Sequence, residues 1–132
     1  MVVGEGMHSG SYTVTIAVEG DYLHAVVTGV NSLENVVGYL QQLRLECEAR
    51  RCFRVLIEER LEGPRLRTVD VFQIASQGAV GASRMEAMAF VDVHAEGDLM
   101  KFAETVAANR GLPIRLFTSI DDARQWLQQK SP

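Results

Sequence analysis

The chain has 132 residues, 47% hydrophobic and 23% charged, with a formal net charge of −4. That length suits one domain with a true hydrophobic core, and the balance is ordinary for a globular chain. The acidic charge offers no net field for phosphates, which argues against a nucleic-acid partner, and no apolar run reaches transmembrane length, which argues against membrane insertion.

The opening residues, MVVGEGMHSG, lack the basic start and apolar block of a signal peptide. They are Gly-rich, so residues 1–11 are expected to be a flexible segment and residues 12–129 a single domain, in a cytoplasmic protein. Cys47 and Cys52 lie only five apart, which is awkward for a disulfide and too few for a metal site, so both are expected as free thiols.

Tyr12 to Val18 alternates and is rich in β-branched residues, which predicts a strand. Glu19-Gly20-Asp21 reads as a tight turn, and Tyr22 to Thr28 as the antiparallel second strand. Asn31 with Glu34 reads as an N-cap with its box partner. Leu33, Val36, Val37, Leu40, Leu43 and Cys47 then mark an amphipathic helix ending near Arg50. Arg54 to Glu58 (RVLIE) is a compact apolar strand, and Glu59 to Arg67 a polar loop broken at Gly63-Pro64. Thr68 or Asp70 is placed to cap the next helix, which carries Val71, Ile74, Ala75 and Ala79 and fades near Gly81.

Met85 to Val93 predicts a further strand. Asp98 then caps a helix with Leu99, Phe102, Ala103, Val106 and Ala107 on one face, closed by Arg110-Gly111 and Pro113. Ile114 to Phe117 is a short buried strand. Ser119 and Asp122 resemble a capping box, opening a helix that faces inward with Ile120, Ala123 and Leu127, with Trp126 beside them. A hairpin followed by alternating helices and strands predicts an α/β fold: a mixed, mostly parallel five-stranded sheet with four helices.

Several residues are candidates for chemistry. Thr68 with Arg65 and Arg67 is a candidate phospho-acceptor or anion site at a helix N-terminus, weighed against Thr68 as a plain cap. Glu58 and Glu59 are carboxylates at a strand end, without an evident positioned partner. His94, Glu96 and Asp98 have metal-donor types, but the spacing places no second histidine, and the expectation is no metal. Gln77–Ser83 has two glycines but follows a helix and lacks a phosphate-loop ending, so it reads as a helix C-terminus. His24 reads as an edge or core histidine. Arg44, Arg50, Arg51, Arg54, Arg60, Arg65 and Arg67 crowd the middle among acidic residues and read as a solvated mixed-charge surface. Gly29, Tyr39, Phe53, Phe72 and Phe90 are candidates to line a small apolar pocket.

RVLIE at Arg54–Glu58, AMAFV at Ala87–Val91, FAETVAANRG at Phe102–Gly111 and RLFTSIDDARQWL at Arg115–Leu127 resemble the SpoIIAA-like branch of the STAS-like bacterial proteins. The matching positions are Phe102, Ala103, Glu104, Phe117, Ala123, Trp126 and Leu127, and the element order covers about residues 12–129. The resemblance implies a STAS-like fold and regulation through protein contacts rather than catalysis, with no cofactor. In the partner-switching antagonists a phosphorylatable serine opens the helix after the central strand. Here that region reads RLEGPRLRTVDVF, without serine, and Thr68 is the nearby hydroxyl.

The expected function is therefore a non-enzymatic interaction domain with an unidentified protein partner. Its surface would run from Glu58 and Glu59 to Thr68 and Asp70, at the start of the next helix. The alternative is a module for a small apolar or lipid-like ligand held between sheet and helices, an analogy with CRAL-TRIO lipid binders. Homodimerisation stays open, because the opening hairpin offers a sheet edge.

Overall fold

The computed structural model describes residues 12–64, 66–81, 84–92 and 97–129. Strands β1 (Tyr12–Glu19) and β2 (Tyr22–Val30) form the hairpin, followed by α1 (Leu33–Arg50) and β3 (Arg54–Glu62). Then come α2 (Thr68–Gly81), β4 (Ala87–Val91), α3 (Gly97–Asn109), β5 (Ile114–Phe117) and α4 (Ile120–Gln129). The five strands make one sheet in the order β1-β2-β3-β4-β5, antiparallel at β1–β2 and parallel thereafter. The α/β class and the mixed sheet expected from the pattern are both present.

Topology decides where the helices go. Parallel strands added in one direction, each by a right-handed crossover, put α1, α2 and α3 on the same face. The opposite face is left to α4, which covers β3, β4 and β5. The core divides accordingly. Val14, Ile16, Leu23, Ala25, Val27, Val55 and Ile57 pack under α1 through Val36, Tyr39, Leu43 and Cys47. Leu56, Ala87, Ala89 and Val91 pack under α4 through Ala123 and Leu127.

Local chemistry explains most element ends. Gly20, with a φ of 58°, supplies the positive dihedral of the two-residue hairpin turn. The N-cap of α1 is Ser32 rather than Asn31: its hydroxyl accepts from the Asn35 N–H at 3.1 Å. Asn31 is drawn off to the β3–α2 loop, donating its side-chain amide to the Pro64 carbonyl. Helix α3 closes in a Schellman motif at Gly111, with Leu112 N–H donating to the Ala107 carbonyl and Gly111 N–H to Ala108. Helix α1 closes the same way, but there the left-handed residue is Arg51. Ser119 caps α4 as the sequence suggests, accepting from the Asp122 N–H.

Two further expectations need correction. Strand β3 does not stop at Glu58: its parallel register with β2 continues through Thr28–Arg60 to Val30–Glu62, so the polar loop shrinks to residues 63–67. Alternation along that longer strand sends Glu58 and Glu59 to opposite faces of the sheet. Arg54 is not part of a solvated surface. It is 4% exposed and donates to the Leu127 carbonyl near the C-terminal end of α4, with Asp21 Oδ2 3.6 Å from its Nε. A cation there complements the helix dipole and ties α4 to the central strand.

Candidate functional site: a cavity beneath α2

Among the described residues, helix α2 packs chiefly on α1 and α3, with no comparable approach to a strand. Beneath it lies a cavity of about 220 Å³. Its floor is Val55, Met88, Phe90, Ile114 and Leu116 from three strands, and its roof includes Val71 and Ile74 of α2. Val36, Leu40, Leu43 and Cys47 of α1 form one wall; Ala103 and Ala107 of α3 form another. Among the described residues of α3 the wall is Ala103 and Ala107, and Met88 and Phe90 are only half-buried in mid-sheet. A mostly apolar lining of this kind suits a small ligand.

Among the described residues, the charged groups on the wall are Glu59 and Arg44, with Gln41 beside Arg44. Glu59 enters because β3 continues past Glu58: Val55, Ile57 and Glu59 share the core face. The Tyr39 hydroxyl donates to Glu59 Oε2 from α1. Tyr39 is fully buried, and that burial, reinforced by the Glu59 charge and hydrogen bond and by Asp92, raises its phenol well above the usual range. Burial likewise pushes the Cys47 thiol, on the cavity wall, up to about 12, with smaller contributions from Cys52, Glu46 and Glu48. Both cysteines are free thiols, as expected from their spacing.

On the opposite face, Glu58 is 7% exposed. Its Oε1 lies 3.1 Å from His24 Nε2, while His24 Nδ1 lies 3.1 Å from Glu19 Oε1. Arg60 pairs with Glu58 Oε2. His24 therefore sits on an interior strand, bridging carboxylates of β1 and β3. None of these groups lines the cavity.

The other sequence candidates fall as follows. Thr68 is exposed and is the first residue of α2 rather than its cap. Arg67 occupies the cap position, its carbonyl accepting from Val71 N–H, and its own N–H donates to Asp70 Oδ2 at 3.1 Å. The Arg67 guanidinium also binds both Asp70 oxygens. That hydrogen bonding holds the Asp70 carboxyl below its ordinary value, and it engages Arg67 internally. Arg65, His94 and Glu96 lie outside the described residues; Asp98 is exposed in the first turn of α3. Glu58, Glu59 and Asp70 do not share one surface. Of the five pocket candidates, Phe90 lines the cavity and Tyr39 anchors its carboxylate. Phe53 packs on the α1 core, and Phe72 lies under Arg110 at 4.4 Å. Among the described residues no cluster of three or more His, Cys, Asp or Glu could hold a metal, and no helix is long and apolar enough to cross a membrane.

The Tyr39–Glu59 pair escaped the sequence reading, although a signal existed. Tyr39 lies on the apolar face of α1, where a phenol needs an acceptor. Glu59 continues the alternation of Val55 and Ile57. In comparisons with known proteins, the chain matches no family model and no curated sequence.

Proposed function

We propose that this domain is a binding module for a small amphipathic molecule, held between the sheet and helices α1, α2 and α3. The cavity beneath α2 carries this reading. A volume of about 220 Å³ exceeds the ~150 Å³ of an engineered apolar cavity that takes up benzene. It is below the roughly 300–1,000 Å³ of drug-sized sites. The ligand is therefore a single ring or a short chain, not a two-chain lipid. Native mass spectrometry of the gently purified chain tests this: an adduct lost on filling the cavity by Ala103→Leu supports the reading. An adduct-free chain that also takes up no benzene counts against it.

A second reading, a STAS-like interaction domain, has its own support. The order of elements is the one that the resemblance implies. Val69 and Phe72, 57% and 46% exposed, present apolar surface at the start of α2, where the antagonists carry their switch. In this reading a protein partner held by the unmodified chain is released by Val69→Asp.

A further inference from the structure

We infer that the ligand of this cavity is a small amphipathic carboxylic acid bound as its anion, the carboxylate on the Arg44 guanidinium and the apolar body over Met88 and Phe90. The inference rests on the ligand-module reading and adds the chemistry of the head group. Leu40, Arg44 and Cys47 follow one another at helical spacing along α1, and all three line the cavity. Arg44 thus stands half-buried in the row of α1 that faces the cavity, not on the far side of the helix. The two charged wall residues differ in what the chain offers them. Glu59 receives the Tyr39 hydroxyl and has a further interaction within the protein, so its carboxylate is engaged. Among the described residues, Arg44 has neither a hydrogen bond nor an ion pair. The acids nearest to it in sequence are placed otherwise: Glu46 pairs with Arg50 at 2.9 Å, and Glu48, one turn on, is exposed and forms no bridge to Arg44.

Ligand entry would strip water from that guanidinium. An apolar ligand returns nothing for the lost hydration, and an amine adds like-charge repulsion in a poorly screened space. A neutral hydroxyl returns one ordinary hydrogen bond. A carboxylate returns charge-assisted bonds, each roughly twice as strong, and its two oxygens match the guanidinium fork. A phosphate monoester fits the same fork but brings a second negative charge. That charge would share the cavity with the Glu59 carboxylate, and the described wall holds no second cation to meet it. Glu59 does not exclude a single anion at Arg44. Tyr39, which holds Glu59, lies five positions before Arg44, about 140° round the helix and roughly 7.5 Å along it, which sets the two charged groups on separate stretches of the wall. Gln41, exposed and one turn before Arg44, lines the same wall and marks its solvent side, so the acid enters apolar end first.

The test uses the full chain with four probes that share a phenyl body: phenylacetate, phenethyl alcohol, phenethylamine and phenyl phosphate. Titration calorimetry, or ligand-observed NMR for the weaker binders, should rank phenylacetate first. It should exceed the alcohol by roughly 10-fold, the lower end for a charge-assisted hydrogen bond, because Arg44 is only half-buried. Arg44→Met, which keeps the stem and removes the charge, should bring the acid down to the alcohol or below it. Arg44→Lys, which keeps the charge without the fork, should retain part of the preference. Should Arg44→Met fail to fold, the ranking on the unmodified chain and on Arg44→Lys decides. Preference for phenethylamine or for phenyl phosphate, or an acid affinity indifferent to Arg44→Met in a folded variant, overturns the head-group assignment. Benzene separates the two levels: benzene bound without acid preference defeats this inference alone, whereas a chain that takes up neither benzene nor any probe defeats the ligand reading with it.

Discussion

Arg54 Nη2 reaches across the sheet–helix interface to the backbone carbonyl of Leu127, joining the first residue of the central strand to the last turns of the last helix. The two are 73 positions apart in sequence. The guanidinium is 4% exposed, so water cannot replace the bond if it is cut. Arg54→Met keeps much of the side-chain volume and removes the charge. It is expected to cost about 1.5–3 kcal/mol, the range for hydrogen bonds to charged groups. The single tryptophan reports the site: Trp126 packs 5.9 Å from Phe117 by ring centroids, in the same cluster as Leu127. Its fluorescence should shift toward that of an exposed indole in the variant, with a lower midpoint in urea.

Arg51 closes α1 with a φ of 51°, the left-handed region that glycine adopts without penalty. Its N–H donates to Glu48 and the next N–H to Cys47, so the geometry is fixed by two hydrogen bonds. Arg51→Gly relieves Cβ strain at some cost in chain entropy, and a net gain of about 0.5–1 kcal/mol is expected. Chemical denaturation would show a higher midpoint at unchanged slope.

Asp70 couples α2 to acid. Hydrogen bonds from Arg67 hold its carboxyl below the unfolded value of about 3.9. The folded state thus binds fewer protons than the unfolded state, and the contribution is fully present above pH ~4. It is lost as pH falls through the lower folded value. Protection factors in the first turn of α2, taken relative to the intrinsic exchange rate at each pH, should fall in that acid window. Asp70→Asn should show the reduced protection already at neutral pH.

Cys47, on the cavity wall, and Tyr39, which holds the wall residue Glu59, couple this region to base. Both are raised in the fold, Cys47 to about 12, so the folded chain holds its protons where the unfolded chain releases them. Stability should fall with rising pH, from about 9 for the thiol and about 10 for the phenol, toward their folded values. Tyr39→Phe should flatten the phenol part of that decline. A thiol reagent at neutral pH should spare Cys47, which is 1% exposed, until denaturant is added.

The parts of this fold that are legible in sequence are those made by neighbours along the chain. Ser119, Ala123 and Leu127 set α4 by capping and spacing alone, and Ile114–Phe117 is read correctly as a strand, though as the edge strand it is half-exposed rather than buried. Glu104 shows the limit. It belongs to the family-like signature, yet its carboxylate accepts the Leu116 N–H at 2.8 Å and thereby secures the edge strand β5 to α3. Such a role is invisible without the pairing. Arg54 reads as one more surface arginine until Leu127 is placed beside it. Ser32 and Asn31 are comparable caps by type, and only the Asn31 contact with Pro64 decides between them. The cavity is the least legible feature: it arises from what α2 does not touch, and local sequence patterns do not encode a gap.

The account turns on that gap accepting a small molecule. Met85 and Met88 line it, while Met100 does not, so methionine-methyl NMR of the full chain titrated with benzene reads it directly. The account predicts saturable shifts of the Met85 and Met88 methyls with Met100 unmoved, abolished by Ala103→Leu. Methyl signals that stay fixed at saturating benzene, or that all drift together, would contradict it.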